Sequence, residues 1–158
     1  MPKVATCLWF GTDAEEAVRF YVSLVPDSAI THTLHSPGDW PGGVAGEVIM
    51  LSFTLGGQNF QALNGGKPQD YGNAASISVE CADQAEVDRL WAALTGNGGK
   101  EIMCGWLRDR WGVPWQIVPE MLPRIMSGPD PEAASRVFHA MSKMIKLDIA
   151  ALEQAAAG

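Results

Sequence analysis

The chain has 158 residues, 47% of them hydrophobic and 18% charged, with a net charge of −7. That is one domain's length, with enough apolar residues to build a core without staples. No apolar run approaches the ~20 residues of a membrane helix, and the acidic balance argues against a nucleic-acid partner. Cys7, Cys81 and Cys104 are too few and too scattered for a disulfide framework or a CxxC zinc site. No basic-plus-apolar secretion signal opens the chain, so the expected setting is reducing and cytoplasmic.

Val4–Phe10 is a short apolar stretch that reads as a strand. Thr12–Leu24 follows as an amphipathic helix. Asp13 is placed to cap it, Glu16 favours its positive end, and Ala17, Phe20, Tyr21 and Leu24 recur at helical spacing. Strands are expected at Ala29–Leu34, Glu47–Leu55 and Asn59–Leu63. Between the first two lies His35–Gly43, a Pro/Gly loop that reads either as a mobile flap with Trp40 as an aromatic lid or as an ordinary surface loop. Asn64–Asn73 is a Gly/Pro/Asn linker. Past it, Ala75–Cys81 alternates Ile77, Val79 and Cys81 with Ser76, Ser78 and Glu80, a period-two strand with one polar face. A second helix follows over Ala82–Leu94, then strand-like runs at Gly99–Leu107 and Val113–Val118. Beyond Pro119 the character changes to helical. Val137, Phe138, Met141, Met144 and Ile145 form an apolar stripe expected to pack on the body or on a second subunit, and a last helix spans Asp148 to about Ala156.

The two halves repeat each other. Asp13/Asp83, Glu16/Glu86, Arg19/Arg89 and Leu24/Leu94 are identical pairs 70 residues apart. Gly57-Gln58-Asn59-Phe60-Gln61-Ala62-Leu63 then aligns with Gly112-Val113-Pro114-Trp115-Gln116-Ile117-Val118. Two matched blocks in the same order imply a duplicated β-α-β-β-β module. The class is therefore α+β, with modules at about 1–66 and 74–120 making one domain over 1–120. Residues 121–158 form a C-terminal helical extension.

Trp9-Phe10-x-x-Asp13-x-x-Glu16-Ala17-x-x-Phe20-Tyr21 resembles the opening of the vicinal-oxygen-chelate, or glyoxalase/bleomycin-resistance, superfamily. Phe60-Gln61-Ala62-Leu63-Asn64-Gly65-Gly66, Cys104-Gly105-Trp106-Leu107-x-Asp109-x-Trp111-Gly112, Trp115-Gln116-Ile117-Val118-Pro119 and Met144–Glu153 are similar to its PhnB-like branch. That branch carries the domain name 3-demethylubiquinone-9 3-methyltransferase. The resemblance covers nearly the whole chain. It implies paired βαβββ modules, a cupped mixed sheet around a pocket, and a homodimer.

In metal-dependent members of that superfamily, ligands sit on the first and last strand of each module. Aligned on the capping aspartates, those places fall here on Thr6, Gln61, Ser76 and Gln116. None is an anion or an imidazole, so no metal is expected. The four are instead expected to converge and hydrogen-bond a small, oxygen-bearing ligand, or else to bond one another. Glu80, on the Ser76/Ser78 face, is a further ligand-side candidate and a possible base, unless it stands in water at the strand end. Cys104 reads as a structural thiol and Asp109 as a turn former. His32 and His35 should point to opposite faces, and His139 lies in the tail. The glycine pairs Gly42-Gly43, Gly56-Gly57, Gly65-Gly66 and Gly98-Gly99 mark turns. No Gly-x-Gly-x-x-Gly follows a strand, so no nucleotide-type cofactor is expected. The functional expectation is a metal-free small-molecule site of unknown reaction. The alternatives are a sequestering binder or a dimeric scaffold with a vestigial pocket.

Overall fold

A computed structural model describes residues 3–158, which divide into two units, up to Asp70 and from Tyr71 to Gly158. In the first, Gly56 and Gly57 both hold positive φ (56° and 78°), the geometry of a two-residue hairpin turn. They join β3 (Val48–Leu55) to β4 (Gln58–Asn64). β2 (Ala29–His35) extends the sheet antiparallel to β3, and β1 (Thr6–Phe10) pairs parallel with β4, giving the order β1-β4-β3-β2. Leu51, Phe53, Leu55, Phe60 and Ala62 alternate onto one face and are buried there. Helix α1 (Ala14–Leu24) lays Ala14, Ala17, Val18 and Tyr21 over them, and Phe53 stacks on Phe60 at 5.5 Å between centroids.

The second unit repeats this with β5 (Ile77–Cys81), α2 (Gln84–Thr95), β6 (Lys100–Glu101), β7 (Trp106–Arg108) and β8 (Pro114–Pro119). Its order is β5-β8-β7-β6, with β5 and β8 parallel. Val87, Leu90, Trp91 and Leu94 of α2 are buried, as are Leu107, Trp115 and Ile117 of the sheet. Both halves are thus β-α-β-β-β with the same strand order, as the repeat implies.

Asp109 does more than form a turn. Its buried carboxylate accepts from the backbone N–H of Trp111 and Val113 and from Trp115 Nε1, at 3.0, 3.0 and 2.9 Å. The acid therefore anchors the largest fully buried side chain of the unit to the loop that precedes its strand.

The tail folds as α3 (Met121–Met126), α4 (Pro131–Met141) and α5 (Ile149–Ala157). Leu122, Val137, Leu147 and Leu152 form their common core, with Val118 of β8 packed against it. Met144 O and Ile145 O accept from Cys104 N and Gly105 N, both at 2.8 Å. Gln84 clamps the same segment: its Oε1 takes the Ile149 N–H at 2.8 Å and its Nε2 donates to Leu147 O at 3.2 Å. Lys146 Nζ lies 2.6 Å from Asp88 and holds that carboxyl below its ordinary range. A lowered pKa means this modest contribution is present above the usual carboxylate range and fades on acidification.

Some expectations change. Gly99–Leu107 is not one strand. Cys104 (φ 59°) and Gly105 (φ 80°) turn the chain, leaving β6 and β7 as short pieces. The strand expected from Val4 starts at Thr6, and the one expected from Ala75 starts at Ile77. The apolar stripe of the tail is only half inward: Val137 is buried, whereas Phe138 is 52% and Ile145 47% exposed. Met144 and Ile145 lie past the end of α4, so helical spacing no longer decides their direction. Asp83 caps α2 through Glu86 N, as expected, but Asp13 makes no side-chain cap. The Ala14 N–H of α1 goes instead to Asn64 Oδ1 at 2.9 Å.

Removing the Asp109 carboxylate orphans a buried indole N–H and two backbone donors. Asp109→Ala is expected to cost about 3 kcal/mol in urea unfolding at neutral pH; an unmoved midpoint rejects the anchoring role.

Candidate functional site

The register within each sheet sets which side chains share a face. On β1 and β4, Cys7 sits opposite Gln61, and Thr6 opposite Phe60. On β5 and β8, Ser78 sits opposite Gln116, and Ile77 opposite Trp115. Phe60 and Trp115 are equivalent by the repeat, so the strand counterpart of Thr6 is Ile77, and that of Cys7 is Ser78. The strands therefore repeat at 71 positions although the helices repeat at 70. The extra residue lies between β1 and α1, where Gly11-Thr12-Asp13 stands against Ala82-Asp83. A one-residue step flips a strand position to the other face. Thr6 consequently shares the face of Leu8 and Phe10, on the α1 side, and does not join Gln61. Alignment on the aspartates misplaced it.

Away from α1, the first sheet carries two rows that cross all four strands. One is Cys7–Gln61–Ser52–His32, and the next is Trp9–Leu63–Met50–Leu34. The polar row holds no carboxylate. Cys7 is raised above the usual thiol range by desolvation, so it stands as a neutral thiol at neutral pH. Gln61 is half-buried, and its carboxamide has no hydrogen-bond partner among the described residues. In the second sheet the matching row is Ser78–Gln116–Trp106. There Gln116 Nε2 donates to Ser76 Oγ at 2.8 Å, so Ser76 and Gln116 do meet, each as the other's partner. Glu80 is exposed, with Glu120, Pro123, Arg124 and Ser127 around a groove of about 480 Å³. Arg124 there is paired with Glu120 at 2.8 Å.

Trp40 is held down. Its Nε1 donates to Asn64 O at 2.7 Å, and its backbone bridges Gly43. Ser36 N and O bond Glu47 O and Gly46 N at 2.8 Å each, so the loop read either as a flap or as an ordinary surface loop is closed at its base. Trp9, on the far side, donates Nε1 to Lys67 O at 2.8 Å with its ring over Gly65. Asn64 is central: its backbone takes Trp40, its Oδ1 caps α1, and its Nδ2 donates to Val48 O at 2.9 Å. The loop borders a cleft of about 520 Å³ whose lining includes Thr12, Glu15, His35, Glu47 and Asn64; none of the residues selected from sequence lines it. His35 Nδ1 bonds Gly46 O at 2.9 Å, so this imidazole is engaged with the loop.

The polar row's other members, Cys7, Ser52 and His32, were not selected from sequence. Only the β1–β4, β3–β4 and β2–β3 registers bring them into one row with Gln61. No spacing motif marks them.

The family model for 3-demethylubiquinone-9 3-methyltransferase matches residues 2–118. The chain belongs to that family. A protein from Bacillus cereus, described as a putative 3-demethylubiquinone-9 3-methyltransferase, PhnB protein, is 32% identical with a TM-score of 0.66, covering 75% of this chain and 99% of its own. A protein from Pseudomonas aeruginosa is 22% identical at a TM-score of 0.61, covering 76% and 98%. A glyoxalase/bleomycin resistance protein from Albidiferax ferrireducens is 18% identical at 0.45, covering 71% and 94%. No curated protein matches. The α+β fold of the two sheets is shared with the Bacillus cereus protein.

The superfamily resemblance of the sequence implies a metal, and the family description implies a methyl donor. A divalent metal needs donors that offset its lost hydration. The register positions offer a neutral thiol, a hydroxyl and two amides, one of them already bonded to Ser76. No group of three or more His, Cys, Asp or Glu among the described residues could hold an ion. The set does not fit a metal. An adenosylmethionine-type cofactor, implied by the family description, commonly calls for a glycine-rich turn in a larger parallel sheet. Here each sheet is mixed, the β1–α1 turn carries Asp13, and the Ala14 N–H is already taken by Asn64. That group does not fit either.

A Cβ at Gly65 would lie 1.9 Å from the Trp9 ring. Gly65→Ala is expected to displace the indole, cost about 1–3 kcal/mol and shift the tryptophan emission; an unchanged spectrum and stability reject the stacking.

Proposed function

We propose that this chain binds a small molecule on the polar face of its first sheet, without a metal or cofactor. The observation that carries this reading is the pairing of two rows. Cys7, Gln61, Ser52 and His32 offer neutral donors and acceptors, and Trp9, Leu63, Met50 and Leu34 offer an adjoining apolar surface. Binding sites generally join a mostly apolar wall to a few convergent polar groups. The row lacks an acid–base pair beside Gln61. Cys7 is protonated, and His32 lies two strand spacings away, about 10 Å. This favours sequestration over turnover. Trp40 serves as a fixed wall of the neighbouring loop, and Glu80 belongs to the groove of the second unit. The chain acts as a homodimer in the cytoplasm, with no nucleic-acid or membrane partner. Among the described residues, no helix is long and apolar enough to cross a membrane.

The test is a thermal-shift screen over quinones, dicarbonyl adducts, metabolites and antibiotics. A ligand present at ~100 times its dissociation constant adds about 2.7 kcal/mol to the folded state. Amide shifts on labelled protein should then fall on β1, β4 and β3. A screen with no hit, or hits that perturb other residues, rejects the reading. Elemental analysis of protein purified without chelator should find far less than one zinc, nickel or manganese per chain; near-stoichiometric metal overturns the metal-free site. Light scattering at micromolar concentration should give twice the 16.9 kDa chain mass; the mass of a single chain rejects the dimer.

A further inference from the structure

Gln61 and Gln116 hold corresponding places in the two halves yet stand in opposite states. Gln116 is engaged, its Nε2 donating to Ser76 Oγ at 2.8 Å. The strand repeat of 71 positions puts Ala5 where the second half has Ser76. Ala5 has no hydroxyl to accept the bond. The Gln61 carboxamide is left with both its donor and its acceptor unmatched among the described residues, between Cys7 and Ser52. The indole N–H of Trp9 is already given to Lys67 O, so that side chain offers the site ring surface rather than a donor. No carboxylate, lysine or arginine stands in either row.

A single ligand that displaces water from the half-buried Gln61 carboxamide matches both of its ends only if it also pairs an acceptor with a donor. An anion faces Nε2 but leaves Oε1 against a charge. A cation does the reverse, and either ion gives up hydration against the apolar row. We propose that Gln61 selects the ligand and that the ligand is an uncharged planar molecule presenting a carbonyl beside an N–H or O–H. A carboxamide or a hydroxycarbonyl on an aromatic ring has that form. This inference rests on the binding reading above and adds to it the ligand class.

The experiment titrates the full-length labelled chain with three matched probes: benzamide (neutral), benzoate (anion) and benzamidine (cation). Benzamide should bind at least about tenfold more tightly than either ion, the scale of one unmatched polar group. Gln61→Ala should remove that preference. Gln61→Glu, nearly the same shape, should transfer it to benzamidine. Ala5→Ser, which touches no ligand group, should supply the missing hydroxyl and weaken benzamide about tenfold while leaving the circular dichroism and melting temperature at or above the parent's. Equal binding of the three probes, or a preference indifferent to both Gln61 variants and to Ala5→Ser, overturns the ligand class. If screen hits still map to β1, β4 and β3, the binding reading survives that outcome. If nothing binds that face, both fall.

Discussion

Parallel pairing of the first and last strands of each repeat is the constraint from which the rest follows. A βαβββ unit leaves its opening strand at the edge, and only the register with its closing strand decides which residues look toward the helix. In the first unit that register puts Leu8 and Phe10 under α1 and turns Cys7 and Trp9 outward. The second unit uses the same device with Ser78 and Glu80. Everything chemical on these sheets is a consequence of that choice of face.

The plan was largely legible in the sequence, because duplication doubles every signal. Asp13 and Asp83, or Phe60-Gln61 and Trp115-Gln116, mean little singly. Together they gave the topology, the helices and the closing strands. The glycine pairs also marked real turns, and Gly56-Gly57 adopts the positive φ values that a tight hairpin demands. What failed were details in which tertiary partners override local pattern. Asp13 resembles a cap, but Asn64, fifty residues on, supplies the bond. The Pro/Gly loop reads from sequence as a flap or as an ordinary surface loop, and the bonds of Trp40 and Ser36 that favour the second come from distant partners. Neither partner is visible at short range.

The candidate site was legible in part, and the reason is geometric. Gln61 and Gln116 lie on closing strands whose alignment has no gap, so they were found. Thr6 was misplaced because one additional residue sits between β1 and its helix. Helical periodicity tolerates that insertion silently, while a strand turns over completely. Ser52 and His32 belong to hairpin strands whose partners depend on bulges and loop lengths, and no spacing rule reaches them. Ser76 was found and then proved to be spoken for. Residue type alone does not distinguish an available amide from an occupied one.

Outer strand β2 is irregular: its pairing with β3 slips between Ile30 and His32, and again between Leu34 and His35. Such breaks matter beyond local geometry. A smooth outermost strand is a template on which any extended chain continues the hydrogen-bond ladder, the route to fibrils. Here the added backbone meets donors and acceptors out of step on both sides of Thr31, whose own hydroxyl is turned inward to Ser52 O. The first sheet thereby carries a built-in guard against stacking edge to edge in a crowded cell.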